Sequence, residues 1–334
     1  MKKSLVALAV AAALPAFAQA QTSVQLTGSV DVALESLNKD ANGGTKADLK
    51  VSDGIWGGSR FAIVGSEDLG NGLKALFNLE YRGRADTGLQ ATNTFWQGQS
   101  WVGLGGGFGT VRLGRQYTPV HAAVQVGDVT GQSWYYSSDG LADYADRVNN
   151  SISYTSPEMA GLTLVAAYAA GEAESSVGGD FHKQNDVLGI AALGKWGAVS
   201  LGLGYQTIDG ADINNVKDTR QMAASLGLDL GRFGAGLGYI QNELKPVSGS
   251  STKTKGAYAG VSFKVTDAGT VYATYSRNDP EGDNNNVDGV GLTYSHGLSK
   301  RTFVYGAVGI GKEQVAGGDD NKPRRVALGL RHFF

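Results

Sequence analysis

The stretch TSVQLTGSVDVALESL, Thr22 to Leu37, decides the fold. Val24, Leu26, Gly28, Val30, Val32 and Leu34 alternate with Gln25, Thr27, Ser29, Asp31, Ala33 and Glu35. A strand turns successive side chains to opposite faces, so this segment reads as one long strand, greasy on one face and polar on the other. It is about twice the common strand length.

The same unit recurs to the carboxyl terminus: strand, tight turn, strand, long polar loop. Residues 59–67 pair with 72–84, 96–105 with 108–117, 148–156 with 161–170, and 185–195 with 197–208. Further on, 219–230 pair with 232–243, 255–265 with 269–278, and 287–297 with 301–312. Glycine, Asn and Asp at the connections supply the positive φ that tight hairpins require. With 22–37 before them and 323–334 after them, sixteen strands are expected. An even number lets the first and last strands run antiparallel and close the sheet.

Between the pairs lie the polar loops 38–57, 85–95, 118–147, 171–184, 209–218, 244–254, 279–286 and 313–322. Short turns at one end and long loops at the other are the asymmetry of a transmembrane barrel. A closed sheet pairs every backbone group and so crosses a bilayer without a helix. Outward apolar sets are expected at Phe61/Ile63, Leu73/Ala75/Phe77/Leu79/Tyr81, Leu201/Leu203/Tyr205, Ala257/Ala259/Val261/Phe263 and Val271/Ala273/Tyr275. The opposite face carries Arg60, Lys74, Asn78, Glu80, Arg82, Arg112 and Arg220. A soluble sandwich would turn those residues to bulk water; a barrel of this size turns them into a lumen. Sixteen strands about 4.8 Å apart and tilted about 40° give a backbone diameter near ~30 Å, too wide for side chains to fill. The expected fold is all-β: a transmembrane, 16-stranded, antiparallel up-and-down β-barrel.

Composition agrees. The chain has 50 glycines among 334 residues, six prolines and no cysteine. Glycine at roughly twice average usage, spread through apolar alternation, suits strands that bend, pack closely or face water without bulk. Without cysteine there is no thiolate nucleophile or thiolate metal site. Lys and Arg number 29 against 31 Asp and Glu, so no basic excess points to nucleic acid. The amino terminus reads Met1-Lys2-Lys3, an apolar run from Leu5 to Phe17, then Ala18-Gln19-Ala20. Those are the parts of a secretory signal, and the run is too short for a membrane anchor. Residues 1–20 are therefore expected to be a signal peptide and 21–334 the barrel.

Val326, Leu328, Leu330, His332 and Phe334 alternate up to a terminal aromatic. Such a segment resembles the signal read by the outer-membrane barrel assembly machinery. Four histidines, at 121, 182, 296 and 332, form no HExxH and sit beside no GxSxG serine, so an enzyme is not expected. Neither a metal nor another cofactor is expected. The acids of 279–288 and Asp319-Asp320 do not have the spacing of an EF-hand loop.

Several longer segments resemble the general diffusion porins of Gram-negative outer membranes, in their beta-proteobacterial branch. They are Ser59-Arg60-Phe61, Gly65 through Ala75, Trp101-Val102-Gly103-Leu104, Phe108 through Tyr117, Arg147 through Tyr154, and Gly329 through Phe334. The resemblance covers the chain from first strand to last. It implies a homotrimer in outer-membrane lipid and lipopolysaccharide, each barrel with its own pore for small ions and polar solutes. It also implies a third loop, here 118–147, folded inward to narrow the channel. Arg60, Arg115 and Arg147 occupy positions that resemble the family's basic wall, and the loop offers Asp128, Asp139 and Asp143 as opposing charges. Lys74, Glu80, Arg82 and Arg112 are expected to line the pore. Strict alternation from Val111 and Leu113 would send Arg115 outward, so its inward placement assumes a bulge at Gly114. Val64 and the neutral Gln97 and Gln99 stand where related anion-selective porins carry further basic residues, which implies a weaker anion preference. The alternative is a pore specific for sugars or organic anions, with Trp134-Tyr135-Tyr136 and Phe95-Trp96 either stacking on sugar rings or packing against the wall.

Overall fold

A computed structural model of the chain describes residues 22–40, 48–139, 141–171, 186–213, 216–282, 285–315 and 317–334. The expected signal segment lies outside them. Among the described residues seventeen strand segments form one sheet, every neighbouring pair antiparallel. They are β1 (Ser23–Asp40), β2 (Asp48–Ser52), β3 (Ser59–Gly70), β4 (Leu73–Gly83), β5 (Ser100–Gly106) and β6 (Gly109–Tyr117). Then follow β7 (Arg147–Thr155), β8 (Leu162–Ala169), β9 (Val187–Trp196), β10 (Val199–Ile213), β11 (Val216–Asp229) and β12 (Phe233–Pro246). The last five are β13 (Thr252–Lys264), β14 (Gly269–Pro280), β15 (Val287–Gly297), β16 (Thr302–Glu313) and β17 (Lys322–Phe333).

The sheet closes on itself. On one edge β1 pairs with β17, from Ser29 opposite Phe333 to Asp40 opposite Lys322. On its other edge it meets β3, Ser23 opposite Ser66 to Ser29 opposite Arg60, and then β2, Ala33 opposite Ser52. The segments β2 and β3 are thus two halves of one stave, and the barrel has sixteen. Gly28 and Phe334 exchange both backbone hydrogen bonds at 3.1 Å, which zips the chain's last residue to its first strand.

The alternation sets the two faces. Val24, Leu26, Val30 and Leu34 are exposed on the outside, while Ser29, Asp31 and Ala33 are buried on the inside. Leu188 with Ile190, Val290 with Leu292, and Leu328 with Leu330 repeat the outward pattern. Such a belt of exposed apolar side chains is stable in contact with lipid. No helix among the described residues is long and apolar enough to span a membrane.

Two loop readings and one strand boundary are corrected. The expected loop 38–57 contains β2, whose five residues are too few to show a period and end at a glycine-rich break. The expected loop 209–218 is mostly strand: β10 and β11 continue their ladder through Asp209 opposite Asp218 to Ile213 opposite Val216. Polar residues beyond a bilayer pair as well as apolar ones within it, so polarity did not mark the strand ends. The segment 96–99 precedes β5 rather than belonging to it.

Candidate pore constriction

The connection between β6 and β7 carries a short helix, α1 (Pro119–Val126). Thr118 starts it: its Oγ1 accepts from His121 N at 3.2 Å, and Pro119 follows with the fixed φ suited to a first helical position. The same hydroxyl donates to Ala145 O at 2.9 Å, and Thr118 N donates to Asp146 O at 2.9 Å, so both ends of the connection are tied at its base.

From that base the segment reaches the far wall on its inner face. Ser225 donates to Ala123 O and Tyr258 to Val124 O, each at 2.6 Å. Thr274 donates to Tyr135 O at 2.6 Å, and Tyr135 donates to Glu35 Oε1 at 2.8 Å. The residues making these contacts alternate with outward apolar ones, so the segment lies against the lumen side of the wall. Glycine makes room for it. A Cβ at Gly202 or Gly236 would overlap backbone of Ala123 or Gly127, and one at Gly204 would come within 2.9 Å of Val120 Cα. The inner faces of β10 to β12 thus form a bare floor on which α1 rests, burying Val120, Ala123 and Val124.

Asp53–Gly58, between β2 and β3, meets the tip of this segment. Trp134 N donates to Ile55 O at 3.0 Å, and the Trp134 and Trp56 ring centres lie 4.7 Å apart. Trp56 also meets Phe303, Tyr305 and Phe333 edge-on. Trp134 and Tyr135 are buried in this packing. Phe95 and Trp96 pack with Phe61 and Tyr81 instead.

What stays open is a cavity of about 860 Å³. Arg60, Arg82, Arg112, Arg147 and Arg325 line it, against Glu35, Asp139 and Asp146. Tyr117 stands at the centre of the basic side. Its hydroxyl accepts from Arg82 at 2.8 Å and from Arg147 at 2.6 Å. Arg147 also lies 4.2 Å over its ring, and the His121 imidazole stacks on that ring at 4.1 Å, 2° from parallel. Two like charges share one acceptor, and the aromatic ring adds a cation–π contact.

Carboxylates discharge only part of the wall. Glu80 takes Arg82 Nε at 2.8 Å, and Asp146 pairs with Arg147. Arg60 and Arg112 have no carboxylate partner among the described residues. Asp139 lines the cavity, but the surrounding loop strips enough water from its carboxyl to raise its pKa, and Asp146 adds to the rise. His121 is buried and its pKa is pushed down to about 4, first by lost hydration. Its Nδ1 lies 3.0 Å from the Tyr144 hydroxyl.

Of the six residues expected at the constriction, Arg60, Arg147 and Asp139 line the cavity. Arg115 does not. The bulge assumed beside Gly114 is present, as a register shift between Gly114 and Gln116. Even so, Arg115 donates to Gln97 O at 2.9 Å and Asn149 Oδ1 at 2.7 Å. Asp128 is spent inside the loop, accepting from Thr130 N at 2.7 Å and from both N and Oγ of Ser138. Asp143 is exposed outside the cavity, in a 3₁₀ turn, Leu141–Asp143. Arg82 and Arg112 are lining residues, Glu80 is buried beside Arg82, and Lys74 sits at the rim, paired in register with Asp68 at the hairpin end. Missed were Tyr117, Asp146, Arg325 and Glu35. Arg325 and Glu35 share the inward parity of Ala327 and Ala33, a signal present in the alternation itself.

A model of the Gram-negative porin family matches residues 7–314. Outer membrane porin protein 32 of Delftia acidovorans is 33% identical over 366 aligned positions, covering 100% of both chains. The solved anion-selective porin from Comamonas acidovorans superposes with a TM-score of 0.80 at 27% identity, over 94% of this chain and 100% of that one. OmpT of Vibrio cholerae, solved in a trimer form, shares the fold with a TM-score of 0.66 at 15% identity, over 94% and 99%.

Proposed function

The chain belongs to the Gram-negative porin family, and we propose that it is a general diffusion channel of the outer membrane whose constriction favours anions moderately. The observation that carries this reading is the imbalance at the cavity: among the described residues five arginines face three carboxylates. Of those carboxylates, Asp146 is paired with Arg147. Fixed charge of one sign in a narrow aqueous slot raises the local concentration of the opposite ion. Glu80 and Asp146 temper that field, so the preference is weaker than the number of arginines alone would give.

Arg60, Arg82 and Arg147, gathered around Tyr117, form the basic side of the constriction; Asp139 and Asp146 form the acidic side. Trp134 and Tyr135 are packed against the wall, which favours passive diffusion over sugar stacking. The exposed apolar belt suits outer-membrane lipid, with lipopolysaccharide around the longer loops. A homotrimer is the assembly we infer, and the trimer form in which OmpT of Vibrio cholerae was solved on the same fold supports that reading. Residues 1–20 direct export, and the strand ending at Phe334 is presented to the assembly machinery. No step of the transport is catalytic.

Planar-bilayer recording of the purified protein tests the reading. Stepwise conductance in KCl is expected, and the reversal potential in a salt gradient is expected to show chloride ahead of potassium. Cation preference would refute the assigned field.

A further inference from the structure

Beside the Tyr117 cluster the cavity wall changes character. Arg112 lies with its guanidinium 4.9 Å from the ring centre of Trp101, and its Nε is buried with no hydrogen-bond partner. No carboxylate pairs with it among the described residues. Along the same inner wall, Arg112 stands opposite Ser153, Thr155 opposite Val165, and Val165 opposite Ala191. Val165 and Leu193 both face the cavity. Leu193 leans on the α1 core and shows its remaining surface to the lumen.

Two branched aliphatic side chains on the wet face of a pore lose hydration free energy that an apolar solute would recover. Within the same cavity is a guanidinium whose planar fork suits a carboxylate. Val165 on β8 lies two strand spacings, about 10 Å, from the Arg112 backbone and two residues along the strand, and Leu193 on β9 lies one spacing further; the long arginine side chain covers part of that reach. We propose that this wall is a binding step for small amphipathic monocarboxylates, with the carboxylate on Arg112 and a hydrocarbon body on Val165 and Leu193. The solutes that fit carry one charge and about six carbons, as hexanoate and benzoate do. The step rests on the pore reading above and names a preferred solute class for that pore.

The test is block of KCl current by added acids in planar bilayers, using the full assembled channel. Hexanoate is expected to half-block at a concentration at least about tenfold below acetate, because burying each extra methylene strengthens binding several-fold. Arg112→Gln is expected to weaken block by both acids several-fold, and Val165→Asn to narrow their ratio to about threefold. Arg112→Lys keeps the charge without the fork and is expected to fall between. Should Arg112→Gln fail to insert, the Val165→Asn ratio decides. Equal block by hexanoate and acetate, or block by 1-hexanol as strong as by hexanoate, would overturn the proposal. Absence of conductance steps in plain KCl would instead sink the pore reading, and this step with it.

Discussion

The guanidinium of Arg147 lies 4.2 Å above the ring of Tyr117 and donates to its hydroxyl at 2.6 Å. Arg82 reaches the same oxygen from another side at 2.8 Å. Hydrogen bonds from charged donors contribute about 1.5–3 kcal/mol each. Tyr117 therefore holds two mutually repelling cations in one narrow place. In Tyr117→Phe the ring remains and the shared acceptor goes. The two guanidiniums are expected to separate and fluctuate, lowering the chloride-to-potassium permeability ratio about twofold and raising open-channel noise. An unaltered reversal potential in the variant would show that Tyr117 is only packing.

Acidification is expected to strengthen anion preference, through two groups that move in one direction. Asp139 has a raised pKa, so it loses its negative charge early as pH falls. His121, held near 4 against an ordinary 6.5, gains positive charge late. Their stability effects oppose one another. The stability supplied by a neutral buried histidine is full above pH 6.5 and is lost as pH falls toward 4. For Asp139 the folded state binds its proton more tightly, so acid below its raised pKa favours the seated loop. Reversal potentials between pH 7 and pH 4 are the measurement. Asp139→Asn should remove the upper part of the change, and a wild-type channel whose selectivity fell in acid would contradict the assignment.

The barrel was legible because its period is two everywhere that lipid touches it: Val24 to Leu34 and Val326 to Leu330 show it without help. The loop ends were not, since Asp209 and Asp218 pair as strand residues outside the lipid belt, where no apolar period marks them. Arg60, Arg82 and Arg112 could be read from strand parity. Loop acids could not: a carboxylate such as Asp128 that closes a turn through Thr130 and Ser138 looks, in sequence, like one that faces a pore. Glycine was visible in number but not in purpose. Its inward placement at Gly202-x-Gly204 becomes meaningful only once α1 is seen lying on it.

That glycine floor makes a prediction about pore size. At Gly204 any Cβ meets Val120 Cα at 2.9 Å and Ala123 Cβ at 3.0 Å. Valine there has to lift α1 off the wall, since the sheet behind it is paired on both sides. The helix can move only into the lumen. Gly204→Val is expected to assemble and to pass a smaller unitary current, by roughly a third or more on the scale of an eyelet about 10 Å wide. Gly107→Ala, at a turn where nothing lies within 4 Å, is the matched control and should conduct like the parent. Larger current in Gly204→Val would mean that the helix does not bound the opening.

Voltage stability should depend on the meeting of Trp134 with Trp56. Between them, one backbone bond from Trp134 N to Ile55 O and a ring contact at 4.7 Å fasten the crossing segment to the wall beside β1. Truncating a buried tryptophan to alanine costs about 3–5 kcal/mol, most of it lost contact. The barrel does not need that contact, because its ladder is closed through β1 and β17. The tip also keeps other ties, from Tyr135 to Glu35 and from Thr274 to Tyr135. Trp134→Ala is therefore expected to insert normally, yet to close at a lower applied voltage and to flicker more often. Trp56→Ala removes the other half of the contact and should do the same, with the double variant little worse than either single one. If the singles leave the closing voltage where it was, the backbone bond to Ile55 and the ties of Tyr135 hold the tip and the tryptophan pair only fills space.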